Sequence, residues 1–361
     1  MIKKIISVGG VFIIVLVVCL SSCSSKDETP TNQDDSFIRA ADLSFLPLIE
    51  SENTLFYNAN NQVENALTTL KNAGCNTVRI RLWKNPTVNQ STLSEVKALA
   101  IRVKNAGMKV WLCVHYSDTW ADPANQTTPL EWQNMSFTEL KTAVADYTSL
   151  IVTQIQPDII QIGNEINSGF LWPNGNLISN ENQCLQLLNV ASSTIRTQSP
   201  NTKIMLHYAG IDANATWFFN KVNAIEYDYI GLSYYPIWHG KNLANLSATI
   251  NTLGATYNKK VVIAETSYPF TLGWNDWTNN VLGSNDQIIT AYPATPEGQK
   301  SYMLALKSVI KNTQKGIGFC YWGTEWVAFR GVQSTNGSSW ENQAMWDFNN
   351  KALPVMEVFN P

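Results

Sequence analysis

The chain carries little charge and no excess of positive charge. Charged residues make up 15% of its 361 residues, and 25 Lys and Arg stand against 28 Asp and Glu, which gives a net charge of −3. Because proteins that bind nucleic acid usually present a basic face, we expect no nucleic-acid partner. The apolar content of 45% is ample for a large core. The length fits one α/β barrel.

Several motifs of common cofactor sites are also missing. The sequence has no Cys-x-x-Cys pair, no His-Glu-x-x-His among its three histidines, and no glycine-rich phosphate loop after the first predicted strand. Zinc, thioredoxin-type and dinucleotide sites therefore have no support. We predict no cofactor and no metal ion. Four cysteines beyond the first 36 residues are expected to be buried thiols, although an exported protein could also form disulfides: Cys75, Cys113, Cys184 and Cys320.

The first residues have the pattern of a bacterial export signal. Lys3 and Lys4 precede an apolar run over residues 5–20, and Leu20-Ser21-Ser22-Cys23 is typical of a lipobox. A transmembrane helix is the alternative interpretation. The run is short for a membrane span and polar residues follow it at once, so the pattern favours a cleaved signal.

This interpretation divides the chain into three parts. We predict a lipoprotein signal peptide over residues 1–22, a lipidated Cys23 that begins a flexible tether over residues 23–36, and one domain over residues 37–361. Lys26-Asp27-Glu28 resembles the signal that directs lipoproteins of Bacteroidetes to the cell surface. We therefore expect an exported protein that a lipid anchor holds at the outer membrane.

Strand-like runs alternate with helical stretches along the rest of the chain. Most of the runs are apolar along their length, which is typical of parallel strands covered by helices. Eight such runs favour a single (β/α)8 TIM barrel of the α/β class over an open doubly wound sheet, which would usually bring a phosphate loop. The predicted strands cover residues 37–44, 76–82, 109–115, 158–163, 203–207, 228–233, 261–264 and 316–322.

Two of these predicted strands end in glutamate. Gly163-Asn164-Glu165 ends the fourth strand, and Ala264-Glu265 ends the seventh. Because the C-terminal ends of the strands of a TIM barrel meet at one site, the two carboxyl groups should face each other across its mouth. Such a pair can cleave a glycosidic bond, with one carboxylic acid as proton donor and one carboxylate as nucleophile. A solvated rim position is the ordinary structural interpretation of a single strand-end Glu.

Other polar and aromatic residues follow the same strand ends. Arg79 beside Glu265 would keep that carboxylate ionised, and Asn164 is placed to hold a sugar 2-hydroxyl. Each of these residues also has an interpretation as an ordinary packing or salt-bridge residue. The candidate substrate-binding residues are Arg79, His115, Asp118, Trp120, Asn164, His207, Tyr235 and Trp322.

The chain resembles the arabinogalactan endo-β-1,4-galactanases of glycoside hydrolase family 53. The resemblance runs from Ala41 to the C-terminal region, and its most specific piece is the long string His115-Tyr116-Ser117-Asp118-Thr119-Trp120-Ala121-Asp122-Pro123. The other matching pieces are Asn76-Thr77-Val78-Arg79-Ile80-Arg81-Leu82-Trp83, Ile162-Gly163-Asn164-Glu165-Ile166, Ser233-Tyr234-Tyr235-Pro236 and Ala264-Glu265-Thr266.

The resemblance implies retaining endo-hydrolysis of β-1,4-galactosidic bonds in galactan and type I arabinogalactan. It makes Glu165 the acid/base and Glu265 the nucleophile, with their carboxyl groups about 5–5.5 Å apart. We expect a monomer. Two alternatives are a related endoglycanase that acts on mannan or cellulose, and a surface lipoprotein that binds glycan without cleaving it.

The sequence departs from the family in two places. Gly323 stands where relatives commonly carry Glu, so we expect the substrate contacts at this position to differ from theirs. Residues 270–277 lack the Asp-x-Asp-x-His pattern through which some bacterial members bind structural calcium, so calcium would need oxygen ligands from other residues. Residues 327–348 are expected to form an extended loop that shapes one end of the cleft.

Overall fold

The computed structural model describes Met1 and residues 37–361. The predicted signal peptide, tether and lipidated Cys23 lie outside the described residues. Within the part of the chain that is described, no helix is both long and apolar enough to cross a membrane.

The sheet is a closed barrel of parallel strands. Each strand pairs with the next one along the chain, and the last pairs with the first, which confirms the predicted TIM barrel and excludes the open sheet. The strands are β1 (Ile38–Asp42), β2 (Thr77–Leu82), β3 (Lys109–Val114), β4 (Ile159–Ile162), β5 (Lys203–Ala209), β6 (Tyr229–Ser233), β7 (Lys260–Thr266) and β8 (Gly316–Tyr321).

Helices surround the barrel and cover its outer face. Two of them end just before a glycine with positive φ, which is typical of a helix C-cap: Gly74 has φ +99° and Gly107 has φ +71°. The helices are α1 (Leu46–Ser51), α2 (Ala66–Asn72), α3 (Leu93–Asn105), α4 (Phe137–Ile155), α5 (Glu181–Gln198), α6 (Ala213–Lys221), α7 (Pro236–His239), α8 (Leu243–Tyr257) and α9 (Pro296–Lys311). Short 3-10 helices span Leu130–Trp132, Asn285–Gln287, Glu341–Gln343 and Pro354–Phe359.

The apolar core has two parts. The larger part packs the barrel against its helices, and a smaller cluster around Trp111 and Met205 fills the barrel interior. Trp111 lies below the mouth, with its ring centroid 5.8 Å from the Arg79 guanidinium carbon. The interior is therefore closed by apolar side chains beneath a polar upper layer. The four cysteines are buried and free, as predicted.

Candidate active site

A cleft of about 320 Å³ opens at the C-terminal ends of the strands. The barrel topology brings residues from most of the strands to this one place, as expected for the fold. Of the predicted site residues, those that line the cleft are Arg79, His115, Trp120, Asn164, Glu165, Tyr235, Glu265 and Trp322.

Glu265 lies at the end of β7 and is held by two donors. Arg79 Nη2 donates to Glu265 Oε1 at 2.7 Å, and the Tyr235 hydroxyl donates to Oε2 at 3.0 Å. The pKa of Glu265 is raised on balance, because burial is the largest effect and the Asp42 carboxylate adds to it, whereas the Arg79 charge and both hydrogen bonds act in the opposite direction. The predicted proximity of Arg79 to Glu265 is present, and each carboxylate oxygen accepts a hydrogen bond that favours the ionised form.

The same guanidinium holds a second carboxylate that the sequence reasoning did not single out. Asp42, the last residue of β1, accepts from Arg79 Nη1 at 2.7 Å and is almost wholly buried. A buried cation needs paired anions to offset its desolvation. Asp42 was detectable as a carboxylate at the end of a buried strand, the same signal that indicated Glu165 and Glu265.

Glu165 follows β4 on a sharply turned backbone. Gly163 has φ +74° and Glu165 itself has φ +48°, a left-handed conformation that is uncommon for a residue with a side chain. A Cβ at position 163 would lie 2.4 Å from Ile166 Cγ2, so the turn requires glycine there. The turn places the Glu165 carboxyl at the mouth, where Ser233 Oγ donates to its Oε1 at 2.5 Å.

The Glu165 carboxyl favours its protonated form. Burial and the nearby Glu265 carboxylate raise its pKa to about 8, against an ordinary value of 4.5. The Ser233 hydrogen bond and the Arg79 charge act in the opposite direction but are smaller effects. Since Glu265 has the direct contact with Arg79, the two carboxyl groups have different protonation preferences.

The two carboxyl groups are close enough to act on one bond. An oxygen of Glu165, an oxygen of Glu265 and a ring nitrogen of His207 all lie within 4.8 Å of one another. This upper limit is close to the carboxyl separation of retaining glycosidases, about 5–5.5 Å, and well below the roughly 6.5–9.5 Å of inverting enzymes.

The same three side chains have ligand types that a metal ion could use. The carboxylate oxygens, however, already accept hydrogen bonds from neighbouring residues: Arg79 and Tyr235 donate to Glu265, and Ser233 donates to Glu165. A cation between the carboxylates would also lie beside the Arg79 guanidinium. The donor set therefore suits proton transfer better than metal binding, and the expectation of no metal stays a prediction.

Asn164 and His115 are oriented by the loop after β3. Asn164 Oδ1 accepts from Arg79 Nη2 at 2.8 Å, and its amide nitrogen donates to the Ala121 carbonyl at 2.9 Å, which leaves one amide hydrogen for a ligand. His115 Nδ1 accepts from the backbone N–H of Ala121 and from Trp83 Nε1. Burial lowers the pKa of His115 well below its ordinary value, so the ring is neutral with its proton on Nε2.

Two predicted substrate-binding residues lie outside the lining of the cleft. Both carboxylate oxygens of Asp118 accept backbone N–H groups, from Asn85 at 2.9 Å and from Leu130 at 2.8 Å, so this residue joins two loops. His207 is wholly buried beneath the cleft and contacts the backbone N–H of Glu165 and the hydroxyl of Ser233. The sequence located both residues near the mouth but could not distinguish support of the site from contact with substrate.

Aromatic rings form the walls of the cleft, and sequence reasoning had singled out only some of them. Trp322 packs edge-on against Trp340 with ring centroids 4.7 Å apart, and Trp120 lies over Arg81 at 4.0 Å. Trp238, Trp326 and Trp340 also line the cleft and had not been predicted as site residues. Trp340 belongs to the predicted extended loop, so the expectation that this loop shapes one end of the cleft is confirmed.

The departure at Gly323 has a packing reason. Gly323 has φ +67°, and a Cβ there would lie 2.7 Å from Trp340 Cδ1. The position therefore accepts no side chain while Trp340 occupies this place. An indole at the cleft wall replaces whatever contact a glutamate at this position would make.

Two buried carboxylates, one of them within residues 270–277, have oxygen atoms of the kind that calcium binds. Asp276 and Glu341 are buried, on the loops after β7 and β8, and each has one carboxylate oxygen without a hydrogen-bond partner among the described residues. The Asn275 backbone N–H donates to the other Glu341 oxygen at 2.6 Å. These oxygens are of the type that calcium prefers.

Comparison with known proteins identifies the family of this chain. The sequence model of glycosyl hydrolase family 53 matches residues 38–359. An arabinogalactan endo-β-1,4-galactanase of Cellvibrio japonicus is 36% identical over 377 residues, which cover 99% of this chain and 96% of the relative. An endo-β-1,4-galactanase of Bacillus subtilis is 31% identical over 90% of this chain and 85% of the relative.

The fold agrees with that of a solved structure from the same family. The catalytic domain of a family 53 protein of Ignisphaera aggregans superimposes with a TM-score of 0.86 at 35% identity. The match covers 91% of this chain and 97% of that domain.

Proposed function

The chain belongs to glycosyl hydrolase family 53, and from this premise we propose that it hydrolyses β-1,4-galactosidic bonds in galactan and type I arabinogalactan with retention of configuration. The observation that carries the proposal is the pair of carboxyl groups from β4 and β7, whose oxygens approach within 4.8 Å in one cleft. Their different neighbours support Glu165 as the acid/base and Glu265 as the nucleophile.

In the first half-reaction, a carboxylate oxygen of Glu265 forms a bond to the anomeric carbon. The bond from that carbon to the glycosidic oxygen breaks, and Glu165 transfers its proton to the departing oxygen. The Tyr235 hydroxyl and Arg79 hold Glu265 in place for the attack. Asn164 lines the cleft and uses one amide hydrogen for the Ala121 carbonyl, so its second amide hydrogen can bond the sugar 2-hydroxyl.

In the second half-reaction, Glu165 acts as a base. Esterification removes the negative charge of Glu265, and this charge is one of the causes that raise the pKa of Glu165. The Glu165 pKa therefore falls when the intermediate forms. Glu165 takes a proton from water, the hydroxyl oxygen bonds to the anomeric carbon, and the ester bond to Glu265 breaks.

The decisive experiment is an assay of the purified chain on β-1,4-galactan, with β-mannan and cellulose as matched substrates. We expect galacto-oligosaccharides of several lengths from galactan and almost no product from the other two. Early products analysed by NMR should carry the β-anomer. Cleavage of mannan or cellulose instead would favour the related endoglycanase, and binding to galactan without any release would favour the glycan-binding lipoprotein.

We further propose that the protein is exported and anchored at the outer-membrane cell surface through a lipid on Cys23, and that it acts as a monomer. The lipobox and the acidic stretch that follows it support the first part. Labelling of cells with a fatty-acid analogue should mark the wild type but not Cys23→Ala, and protease added to intact cells should degrade the wild type. Light scattering at the exit of a sizing column should give the mass of one chain.

A further inference from the structure

A continuous series of buried hydrogen bonds connects Arg79 with the Glu165 carboxyl. Its intermediate members come from three successive strands, β4, β5 and β6, and each is wholly shielded from solvent. The contacts run from Arg79 Nε to Gln161 Oε1 at 3.3 Å, Gln161 Nε2 to His207 Nδ1 at 3.0 Å, His207 Nε2 to Ser233 Oγ at 2.9 Å, and Ser233 Oγ to Glu165 Oε1 at 2.5 Å.

The orientation of the Gln161 amide follows from its other neighbours. Its nitrogen also lies 3.0 Å from the Gly163 carbonyl oxygen, which can only accept a hydrogen bond, and 3.1 Å from Asn164 Oδ1. Its two hydrogens are therefore shared between these oxygens and His207 Nδ1. Its oxygen faces Arg79, which can only donate. The nitrogen of Gln161 is therefore the atom that faces His207.

The position of the His207 proton follows in turn. Two donors face Nδ1, the Gln161 amide nitrogen at 3.0 Å and the Glu165 backbone N–H at 3.3 Å. The acceptor Asn164 Oδ1 also lies 3.3 Å from Nδ1, but it already accepts from Arg79 Nη2 at 2.8 Å and from Gln161 Nε2 at 3.1 Å. A backbone N–H can only donate, so Nδ1 must be the unprotonated, accepting nitrogen. Burial lowers the pKa of His207 well below its ordinary value, which keeps the ring neutral. The single proton therefore lies on Nε2 and is donated to Ser233.

This tautomer determines the direction of the last hydrogen bond. Since Ser233 Oγ accepts from His207, its own hydrogen is available for Glu165 Oε1. We infer that Gln161, His207 and Ser233 form a positioning relay that keeps the acidic proton of Glu165 on Oε2. This inference rests on the proposed function, and it assigns to the three residues a task that contact with substrate would not give them.

The relay acts in both half-reactions. With Oε1 engaged as an acceptor, the proton transferred to the glycosidic oxygen leaves from Oε2, and the electron pair of the broken O–H bond stays on Glu165. The Ser233 hydrogen bond then becomes charge-assisted and stabilises the carboxylate that deprotonates water. Every bond of the series donates away from Arg79, so each polarises the next.

Other charged and titratable groups also change the pKa of Glu165, and the substitutions at Ser233 leave these groups in place. The Glu265 and Asp122 carboxylates raise its pKa, and the Arg79 guanidinium lowers it. The Tyr235 hydroxyl donates to Glu265 and stays neutral, because burial and the two carboxylates raise its pKa well above the ordinary value. None of these groups is altered by a substitution at Ser233.

The first measurement is made on the wild-type chain by NMR with 15N-labelled histidine. The chain has only three histidines, so a His239→Gln variant and a His115→Gln variant are sufficient to assign the His207 signals. We expect His207 to stay neutral from pH 5 to pH 9, with its proton on Nε2. A proton on Nδ1, or a ring that becomes charged in this range, would overturn the relay.

The second measurement is the titration of the Glu165 carboxyl with 13C-labelled glutamate, assigned by comparison with Glu165→Gln. Ser233→Ala should raise the pKa of Glu165 by about one unit or more, because a hydrogen bond to the carboxylate is lost. Ser233→Thr, which keeps the hydroxyl, should restore the wild-type titration. Ser192→Ala, which removes a buried hydroxyl from α5, is the matched control and should titrate like the wild type.

The kinetic readout is the alkaline limb of kcat/KM on galactan. It should move to higher pH in Ser233→Ala by the same amount as the titration and return in Ser233→Thr. An unchanged alkaline limb together with an unchanged Glu165 titration would mean that Ser233 is only a packing residue.

If Ser233→Ala does not fold, the tautomer of His207 in the wild type still tests the relay. Failure of the proposed function would have another signature, namely no oligosaccharide from the wild type.

Discussion

The two sides of the cleft place the same functional group in contrasting surroundings. On the β7 side, Glu265 receives a hydrogen bond from a buried guanidinium and one from a tyrosine hydroxyl. On the β4 side, Glu165 receives one hydroxyl hydrogen bond, from Ser233, which is itself held by a neutral histidine. Both carboxyl groups are largely shielded from water, so burial alone does not separate them.

The position of the positive charge determines which carboxyl group acts as the acid and which as the nucleophile. One cation in contact with one carboxylate leaves the other as the group that keeps a proton, because two adjacent carboxylates resist joint ionisation. Arg79 thus creates an asymmetry that neither glutamate has by itself. Substitutions on the two sides should therefore impair catalysis in different ways.

The largest expected effect is that of Glu265→Ala. Removal of the nucleophile prevents formation of the covalent intermediate, and we expect kcat on galactan to fall by about 10⁴-fold or more. Binding of galactan, measured by calorimetry, should persist. Added azide can enter the space left by the side chain and attack the same face of the sugar, so the rescued product should be the α-galactosyl azide. A β-configured azide would contradict the assignment.

Removal of the group on the opposite side should cost less and should depend on the leaving group. Glu165→Ala is expected to reduce kcat/KM on galactan by about 10³-fold, in the range of general acid–base catalysis. On a dinitrophenyl galactoside, whose leaving group needs no proton, the loss in kcat/KM should be small. Azide should now yield the β-galactosyl product. An equal loss on both substrates would contradict the role of proton donor.

The barrel could be predicted from sequence because its strands are apolar runs of regular spacing. The alternation of such runs with helical periodicity allows few folds, and the glycines at 74 and 107 marked helix ends by their need for positive φ. The predicted boundaries differ from those observed by a few residues at the strand ends, as at Thr266, which extends β7. Pairing continues there because tertiary contacts, rather than local preference, decide where a strand ends.

The site could be predicted less completely than the fold. Residues at strand ends were identified because a TIM barrel brings those ends together, and this reasoning located both glutamates. Gln161 was missed because it lies inside a strand, where a single polar residue between isoleucines was the only signal. Trp238 was missed because it belongs to α7, a short helix whose place over the cleft depends on the path of the loop.

A weaker perturbation of the comparison is Arg79→Lys. Lysine keeps the charge but cannot bond Asp42, Glu265 and Gln161 together, as the planar guanidinium does. The pKa of Glu265 should rise when its contact with Arg79 is lost, so the acid limb of kcat/KM moves to higher pH. We expect a loss of about 10²-fold at neutral pH, in the range of a removed preorganised donor.

The control for this substitution is Arg102→Lys. Arg102 on α3 makes a bidentate ion pair with Glu50 on α1, with both nitrogen–oxygen distances at 2.7 Å, and both side chains are partly exposed to solvent. Activity and the acid limb should be unchanged in that variant. Equal effects from both substitutions would mean that general destabilisation, rather than the asymmetry of the cleft, explains the loss.

The pH dependence of the wild type tests the different protonation of the two carboxyl groups without a mutation. Since burial and Glu265 raise the pKa of Glu165 to about 8, kcat/KM on galactan should fall above that pH, by about tenfold per unit. A dinitrophenyl substrate makes little use of the acid and should show a much weaker alkaline limb. Identical limbs for the two substrates would assign the limb to another group.

The smallest expected effect concerns stability and has a sign that can be derived. In the native state Glu165 keeps its proton up to about pH 8, whereas the unfolded chain releases it near 4.5, so between these values the native state binds more protons. Unfolding free energy must then fall as pH rises through this window and stay lower above it. The Glu165→Gln variant has no ionisable group at this position. Its free energy of unfolding should therefore exceed that of the wild type by on the order of 2 kcal/mol at pH 9 and nearly equal it at pH 4.

Melting temperatures at the two pH values measure this difference. Glu131→Gln is the control, because Lys84 lowers the pKa of that exposed carboxyl and its removal should bring no gain at pH 9. If the stability difference between Glu165→Gln and the wild type were the same at pH 9 as at pH 4, Glu165 would be ionised in the resting enzyme. The two sides of the cleft would then not be asymmetric.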